Sequence, residues 1–380
     1  MLDSADVLSA LAGAALVLAI LWDAFETILV PRRIGRRMRL TRWFYVSAWR
    51  LWRGIARRIT TPARREAMLG FFGPLSLLLL LGVWAFGLIV AFALLAMATH
   101  GESEAPRAFT TWLYLSGETF FTLGFGDITP TTAAGRALAV FEAGTGFGFL
   151  GTVIGYLPTM YGAFAQRELE ISLMDARAGS PPTAAEFLRR TPPSGRGALC
   201  DDLLAAWERW AAQLLETHIS YPQLAYYRSQ HVNQSWLGAL VAILDSTALI
   251  LARDEDDTTS QASLTFAMAR HALVDITQIF VPAMPAERAD RLTSAAMKRL
   301  RERLASTRGA LPDDSAFEAR LAALRLRYEP YAQALAAHLL FDLPPWTHDA
   351  PRRDNWQGGP WDKALSSHRE PAHRSEEHFG

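Results

Sequence analysis

The stretch Thr122-Leu123-Gly124-Phe125-Gly126-Asp127 reads T-L-G-F-G-D and lies between two long apolar segments. Glycine reaches left-handed backbone angles without the steric strain that other residues meet there. A glycine at every second position therefore lets alternate residues adopt those angles, so that the backbone carbonyls can line one side of the loop. Thr122 can add a hydroxyl ligand at one end, and Asp127 places a carboxylate at the other. This composition suits the binding of a cation by oxygen atoms.

The segments around this loop follow a regular order. Residues 67–99 contain no charged residue, and residues 109–121 form an aromatic-rich run that is long enough for a short helix. Pro130 then leads into an apolar segment over residues 133–161, which is rich in glycine. About 20 mostly apolar residues suffice to cross a bilayer as a helix. Irregular backbone at membrane depth is tolerated only where it is buried or lines a water-filled cavity, which favours a pore lining for the loop.

The order of apolar helix, short helix, glycine loop and glycine-rich helix resembles the pore-loop potassium channels, over roughly residues 68–165. In those channels, carbonyls of the loop replace the hydration shell of K⁺. The resemblance implies a selectivity filter made of Thr122, Leu123, Gly124, Phe125 and Gly126. A ring of carbonyls needs four loops and the chain has one, so we expect a homotetramer. Phe125 lacks the hydroxyl of the family's tyrosine, which leaves a weakly selective cation channel as an alternative.

The resemblance also implies roles for residues near the filter. A glutamate at the position of Glu118 shares a proton with the loop aspartate in some members, so Glu118 and Asp127 are expected to support the filter. The alternative is a Glu118 that faces water. Glu142 could face the pore cavity, or it could lie behind the filter against a pore-helix hydroxyl. Gly144 and Gly146 are candidates for a gating hinge, and close packing by small residues is the alternative.

The chain has 380 residues, of which half are apolar, and its formal net charge is zero. Cys200 is the only cysteine, so an intramolecular disulfide is excluded. Arginine dominates the basic residues, which hints at a GC-rich bacterial genome. Residues 7–30 are a first spanning candidate, and the preceding residues lack the positive start of a cleaved signal peptide. We therefore expect this segment to be retained.

Twelve arginines and no acidic residue lie between Arg32 and Arg65. The positive-inside rule places this segment in the cytoplasm, with the N-terminus outside and, after three spans, the C-terminus inside. Asp23 and Glu26 lie near the inner end of the first span on one helical face. Intramembrane carboxylates indicate a functional site by default. We favour the alternative that they pair with the nearby arginines.

The arginine segment contains a repeat at every third position that is typical of a voltage sensor, made of Arg33, Arg36, Arg39 and Arg42. We reject that interpretation because the segment is not an apolar span and only one span precedes it. Residues 41–60 instead mix tryptophan with arginine, which is typical of an interfacial amphipathic helix. We expect anionic lipid headgroups to bind residues 41–65. Nucleic acid is a poor alternative between membrane spans.

Residues 198–341 show helical periodicity and predict an all-α cytoplasmic bundle. The expected helices cover residues 198–217, 222–229, 233–253, 260–280, 286–306 and 315–340. No G-x-G-x-x-G motif follows a strand, and no alternating strands predict a cyclic-nucleotide barrel, so the usual regulatory ligands are unsupported. The cytoplasmic ligand is therefore unknown.

The densest polar and aromatic cluster of this half lies at residues 216–231. It could bind a small ligand, or a metal through His218 and His231, although a helix-connecting turn with packed tyrosines is favoured. Arg270, His271 and Asp275 share a helical face and favour an ion-paired core over a metal site. No nucleophile–base motif is found, so we expect no enzymatic activity, no cofactor and no metal beyond K⁺ at the filter.

The predicted fold is an all-α membrane protein: a two-helix plus pore-loop potassium channel pore with one extra N-terminal transmembrane helix, then an all-α cytoplasmic bundle. The expected function is a homotetrameric potassium-selective channel of a bacterial inner membrane, gated by the inner helix, with the cytoplasmic bundle as a second candidate for control of the gate. A membrane-anchored sensor or adaptor with a non-conducting pore is a further alternative. The predicted parts are an N-terminal helix with a basic interfacial helix (1–66), the pore (67–167), a linker (168–197), the bundle (198–341) and a disordered tail (342–380).

Overall fold

The computed structural model describes residues 4–30, 39–99, 108–191, 198–231, 233–253, 260–282, 289–307, 310–349 and 354–357. Within these ranges the regular elements are all helices, and no strand is present. The prediction of an all-α membrane protein is confirmed. The arginines at positions 32–37 and the last part of the tail, residues 358–380, lie outside the described residues.

The chain divides into two compact units, the first made of residues 1–164 and 217–227 and the second of residues 165–216 and 228–380. Five α-helices begin in the described part of the first unit, and they are α1 (Ser4–Ile28), α2 (Leu40–Ala56), α3 (Pro62–Ala98), α4 (Phe109–Phe120) and α5 (Ala133–Ala178). In the described part of the chain, α1, α3 and α5 are long and apolar enough to cross a membrane. The 37 residues of α3 make a helix of about 55 Å, longer than a hydrocarbon core of about 30 Å.

The first span packs closely along the second. A Cβ atom added to Gly13 of α1 would lie 2.7 Å from the carbonyl oxygen of Ala91 in α3. Val17 and Ile20 of α1 share a buried core with Leu88 of α3. Glycine at the crossing lets the two backbones approach, which is how helices associate where both are surrounded by apolar lipid.

The carboxylate of Asp23 joins α1, α2 and α3. Its oxygens accept hydrogen bonds from the Thr41 hydroxyl at 2.6 Å, the Thr41 amide at 3.1 Å and the Trp84 indole at 3.0 Å. Because Thr41 lies in the first turn of α2, the carboxylate meets the positive end of that helix. Glu26 forms the predicted arginine pair, at 3.4 Å from Arg39. Asp23, in contrast, is held by neutral donors.

Among its described residues, the second unit contains the starts of seven α-helices. They are α6 (Ala184–Arg190), α7 (Ala198–Ser220), α8 (Trp236–Arg253), α9 (Gln261–Phe280), α10 (Ser294–Leu304), α11 (Ser315–Leu326) and α12 (Glu329–Leu339). α8 is also long and apolar enough to cross a membrane, but it is buried along nearly its whole length and forms the core of this unit. Asp314 caps the N-terminus of α11 by accepting a hydrogen bond from the Phe317 amide at 2.7 Å.

Several predicted boundaries are wrong. The single helix expected over residues 315–340 is split into α11 and α12, because Pro330 has no amide hydrogen to donate to the carbonyl of Leu326, where α11 ends, and its ring would clash with that carbonyl in a continuous helix. α10 begins at Ser294 instead of residue 286. The Thr293 hydroxyl caps this start by accepting a hydrogen bond from the Ala296 amide. The helix expected over residues 222–229 is a short 3₁₀ helix, Pro222–Tyr226, and it belongs to the first unit.

A buried network of charges lies in the second unit. The Arg291 guanidinium contacts Asp245 at 2.6 Å and Glu329 at 3.2 Å, and the Tyr328 hydroxyl donates to Asp245 at 2.5 Å. Burial would lower the pKa of Arg291, but the neighbouring Asp245 outweighs burial and raises it. The arginine is therefore charged, and removing Asp245 would take away its closest carboxylate and leave Glu329 as the remaining one.

Glu186 of α6 is buried and accepts hydrogen bonds from Arg189 and Arg303, both at 2.8 Å. Burial alone would raise the pKa of this carboxyl group, but the two guanidinium groups lower it to about 2. α6 lies in the segment predicted as a linker, and its buried Phe187 shows that this part is packed. The predicted disordered tail also begins with folded residues, because Trp346 is only 1% exposed.

Candidate functional site

The loop that follows α4 has an alternating backbone. Thr122, Gly124 and Gly126 have positive φ angles of 55°, 64° and 76°, whereas Leu123 and Phe125 between them do not. Positive φ is uncommon and strained for a β-branched residue such as threonine. The alternation that the spacing of the glycines predicts is therefore present, and it includes one residue that is not glycine.

The loop begins directly at the C-terminus of α4. The Leu123 amide donates to the carbonyl of Glu118 at 2.7 Å, and the Thr122 amide donates to the carbonyl of Thr119 at 3.0 Å. The C-terminal end of a helix carries a partial negative charge from its unpaired carbonyls. The base of the loop is thus suited to a cation. Leu123 and Phe125 are 56% and 66% exposed in the single chain.

Asp127 at the far end of the loop is held by a residue that sequence reasoning missed. The Tyr114 hydroxyl donates to the Asp127 carboxylate at 3.3 Å. Tyr114 precedes Glu118 by four residues, so a helical projection would have put both on the face toward the loop. Glu118 is 5% exposed, and one of its carboxyl oxygens makes no hydrogen bond with described residues. The expected Glu118–Asp127 brace stays a prediction.

Glu142 lies behind α4, which is one of its two expected locations. Glu142 is 3% exposed, and its carboxyl group is hydrogen-bonded to the Ser116 hydroxyl of α4. The same hydroxyl lies 2.7 Å from the carbonyl oxygen of Ile89 in α3. This polar contact joins α3, α4 and α5 at one point. A serine hydroxyl has one hydrogen, so it can donate to only one of these two acceptors.

A cavity adjoins this contact. It has a volume of about 20 Å³ and is lined in part by Thr119, Thr132 and Glu142. A polar cavity of roughly 10–15 Å³ or more can hold one water molecule. The space behind the loop is therefore large enough for a single water between the C-terminal part of α4 and α5.

Gly146 marks the closest approach of α5 to the loop. A Cβ atom at Gly146 would overlap the carbonyl oxygen of Phe120, the last residue of α4, and would lie 2.9 Å from its carbonyl carbon. No atom of the described residues lies within 4 Å of a Cβ added at Gly144, Gly148 or Gly151. Close packing thus accounts for Gly146 in this structure. α5 runs unbroken past Pro158, and a hinge at Gly144 or Gly146 stays a prediction.

The polar and aromatic cluster expected at residues 216–231 packs into the first unit over residues 217–227. Gln223 is hydrogen-bonded to the Tyr156 hydroxyl of α5. The Tyr226 ring lies 5.0 Å from both Trp49 of α2 and Phe72 of α3, between ring centroids. Burial raises the pKa of Tyr226, so this ring stays neutral. The favoured interpretation, a turn with packed tyrosines, describes these contacts.

The other polar candidates are not assembled into a site. Among the described residues, no group of three or more His, Cys, Asp and Glu side chains could hold a metal ion. His218 belongs to the first unit and His231 to the second. The exposed His271 and the half-buried Asp275 form a pair at 3.4 Å.

Comparison with known proteins bears on the region that contains the loop. Residues 78–162 match a family model described as ion channel. Over 210 residues the chain is 26% identical to the uncharacterized membrane protein YdjJ of Bacillus subtilis (strain 168). That match covers 54% of this chain and 59% of YdjJ, so the chain spans less than two thirds of that relative. No solved structure matches the chain.

Proposed function

We propose, from the ion channel domain that residues 78–162 form, that four copies of the chain make a potassium-selective channel. The observation that carries the proposal is the alternation of positive φ at Thr122, Gly124 and Gly126. With Leu123 and Phe125 between them, these residues form the selectivity filter. Their carbonyls replace the hydration shell of K⁺, which crosses the membrane passively.

The exposed apolar surface near the loop supports assembly into a homotetramer. Val140, Phe147 and Ile154 of α5 are 75%, 74% and 63% exposed in the single chain, like Phe125 in the loop. A filter needs carbonyls on all sides of the ion, and one chain supplies one side. Fourfold closed symmetry provides the other three and covers part of this surface.

In the proposed channel, the residues behind the loop hold the filter in place. Asp127, with Tyr114 and Glu118, supports its outer end, where the carboxylates attract cations. Ser116 and Glu142 tie the pore helix α4 to the outer helix α3 and the inner helix α5. Because Glu142 is buried behind α4, its role is to back the filter.

We further propose that the inner helix α5 gates the pore and that the cytoplasmic half acts on it through residues 217–227. Gln223 contacts Tyr156 of α5, and Tyr227 fits against Gly73 of α3, where an added Cβ would lie 2.6 Å from its ring. A movement of this segment would change a hydrogen bond on the gating helix. α5 can bend in response near Gly144 and Gly148, where an added Cβ would meet no neighbour, and near its close contact at Gly146.

The chain is a multi-pass membrane protein, and we propose the bacterial plasma membrane with the N-terminus outside and the C-terminus in the cytoplasm. The arginine-rich segment before α3 supports this orientation through the positive-inside rule. α2 then lies along the cytoplasmic interface, where anionic headgroups contact residues 41–65.

The test is the reversal potential of the purified full-length protein in a bilayer with K⁺ on one side and Na⁺ on the other. We expect a value close to the potassium equilibrium potential, and no current from a Gly124→Ala variant, because its φ of 64° strains any side chain. Gly155→Ala, whose added Cβ meets nothing within 4 Å, is the control.

A weakly selective cation channel is the second candidate, because Phe125 lacks a hydroxyl with which to anchor the filter. Current that reverses near zero would favour it, and Phe125→Tyr should then shift the reversal potential toward that of K⁺. An absence of current from wild-type protein of confirmed oligomeric state, also after changes at Gln223, would favour a non-conducting sensor or adaptor.

A further inference from the structure

A groove of about 650 Å³ runs along one face of the N-terminal half of α3. Phe71, Leu75 and Leu78 form its apolar surface and are 69%, 40% and 59% exposed. Arg64 stands at one end. The groove lies within the first unit and is separate from the loop and from the buried contacts behind it.

The groove is shaped by one hydrogen bond that α3 lacks and by one contact between a backbone carbonyl and a side chain. Pro74 has no amide hydrogen, so it cannot donate to the carbonyl of Gly70 one turn earlier in α3. The indole of Trp52 in α2 donates to the carbonyl of Met68 at 3.2 Å. This hydrogen bond holds α2 against α3, and the Trp52 side chain lines one side of the groove. The groove is thus bounded by an ordered aromatic side chain on one side.

The length of the groove matches one leaflet of a bilayer. From Ala67 to Leu78 the helix rises about 16 Å, and half of a hydrocarbon core is about 15 Å. Trp52 and Arg64 lie at the end that would meet the headgroups, where tryptophan and arginine are favoured. A single acyl chain can therefore lie along Phe71, Leu75 and Leu78 while its headgroup reaches Arg64.

The headgroup end of the groove carries the positive charge of Arg64. Arg64 is exposed and forms no ion pair or hydrogen bond through its side chain with described residues. No acidic residue occurs between Arg32 and Arg65, and the first one beyond is Glu66. A phosphate with a net negative headgroup suits this end better than a zwitterion does.

We propose that this groove is a discrete binding site for one anionic phospholipid of the cytoplasmic leaflet. The phosphate contacts Arg64, the headgroup lies beside the Trp52 indole, and one acyl chain lies against Phe71, Pro74 and Leu75. The site rests on the proposed topology, which puts this end of α3 in the cytoplasm. This proposal differs from a general attraction of residues 41–65 to an anionic membrane surface. It requires that one lipid molecule binds to each chain at one defined place.

The probe is phosphatidylglycerol, compared with phosphatidylcholine of the same acyl chains, added to the full-length protein in detergent and measured by native mass spectrometry. We expect one retained phosphatidylglycerol per chain. Arg64→Ala should weaken the binding of phosphatidylglycerol about fivefold, since one arginine near an anionic surface contributes on the order of 1 kcal/mol. The same variant should leave the binding of phosphatidylcholine unchanged. Leu75→Trp, which fills the groove, should lose both lipids. Arg50→Ala, an exposed arginine of α2 outside the groove, is the control.

If Arg64→Ala and Arg50→Ala weaken phosphatidylglycerol binding equally, the lipid is held only by general attraction to the basic surface, and the proposed site is wrong. Retention of lipid by Leu75→Trp would place the lipid elsewhere. Intact oligomers without bound lipid, together with a Leu75→Trp variant that dissociates, would show that a second copy of the chain covers the groove. Ion flux from the same samples in phosphatidylcholine vesicles is measured separately, so a failure of the lipid site and a failure of the channel proposal give different results.

Discussion

Replacing Gly146 by Ala distinguishes a packing role for this glycine from a hinge role. The added Cβ would overlap the carbonyl oxygen of Phe120 and lie 2.9 Å and 3.2 Å from its carbonyl carbon and Cα. All three are backbone atoms, so no side chain can rotate away to relieve the contact. The variant must separate α5 from the end of α4, and Phe120 directly precedes the loop.

The size of the effect follows from two opposing contributions. Alanine is favoured over glycine by up to about 1 kcal/mol inside a helix, whereas forcing an extra methyl into a packed contact costs about 1–3 kcal/mol. Gly148→Ala gains the first contribution without the second, since nothing lies within 4 Å of its added Cβ. We therefore expect Gly146→Ala to be less stable than Gly148→Ala by about 1–3 kcal/mol per chain.

The assay pairs thermal unfolding of the full-length protein with K⁺ flux into vesicles. Gly146→Ala should unfold at lower temperature and conduct less, because the loop shifts with Phe120. Gly144→Ala and Gly148→Ala should unfold at or above the wild-type temperature. Wild-type stability of Gly146→Ala, or equal loss of flux in Gly144→Ala and Gly146→Ala, would refute the packing argument and favour hinge freedom.

Three further predictions concern the rest of the chain. Asp245→Ala leaves the buried Arg291 guanidinium without its main partner and should cost about 3–5 kcal/mol of unfolding free energy in denaturant titrations. Glu186→Gln removes a carboxylate whose pKa falls from 4.5 to about 2 on folding. Its lower melting temperature at pH 7 should therefore converge with that of the wild type as the pH falls from about 4.5 to 2. Gln223→Leu frees the Tyr156 hydroxyl on α5 and should raise K⁺ flux at unchanged selectivity.

Each of these has a control or an outcome that contradicts it. Asp313→Ala removes an exposed carboxylate that pairs with Arg301 and should change stability little. An equally small loss of stability in Asp245→Ala would contradict the importance of burial. A stability difference for Glu186→Gln that stays constant down to pH 2 would mean that the carboxylate charge is not responsible. Tyr156→Phe should reproduce the flux of Gln223→Leu, and wild-type flux in both would separate this hydrogen bond from gating.

The order of the pore segments was readable from the sequence because each has a strong local signal. Long apolar runs give α3 and α5, and the glycine spacing gives the alternation at Gly124 and Gly126. Partners were less accessible, because Tyr114 and Ser116 look like ordinary residues of an aromatic helix until the fold brings them to Asp127 and Glu142. The sequence left two locations for Glu142, and only the packing of three helices selects one.

Tertiary contacts also explain the errors outside the pore. Helical periodicity continues across Tyr328, so the break between α11 and α12 depends on Pro330 and on the buried Tyr328 hydroxyl reaching Asp245. Trp346 lies in a segment of disorder-like composition, yet it is buried beside Arg291 and Arg325, 5.8 Å and 5.6 Å from the two guanidinium groups. Contacts between residues this far apart in the sequence leave no local sequence pattern.

The insertion of residues 217–227 into the first unit imposes an order on biosynthesis. After residue 164 leaves the ribosome, the segment of residues 165–216 must be translated before the 3₁₀ helix can occupy its position. At 5–20 residues per second, that delay to residue 227 is about 3–13 seconds. During this time the apolar faces around Phe72 and Gly73 lack their tyrosines. A nascent chain paused there would present an aromatic surface to chaperones or to other nascent copies, so the first unit cannot finish folding as an autonomous N-terminal module.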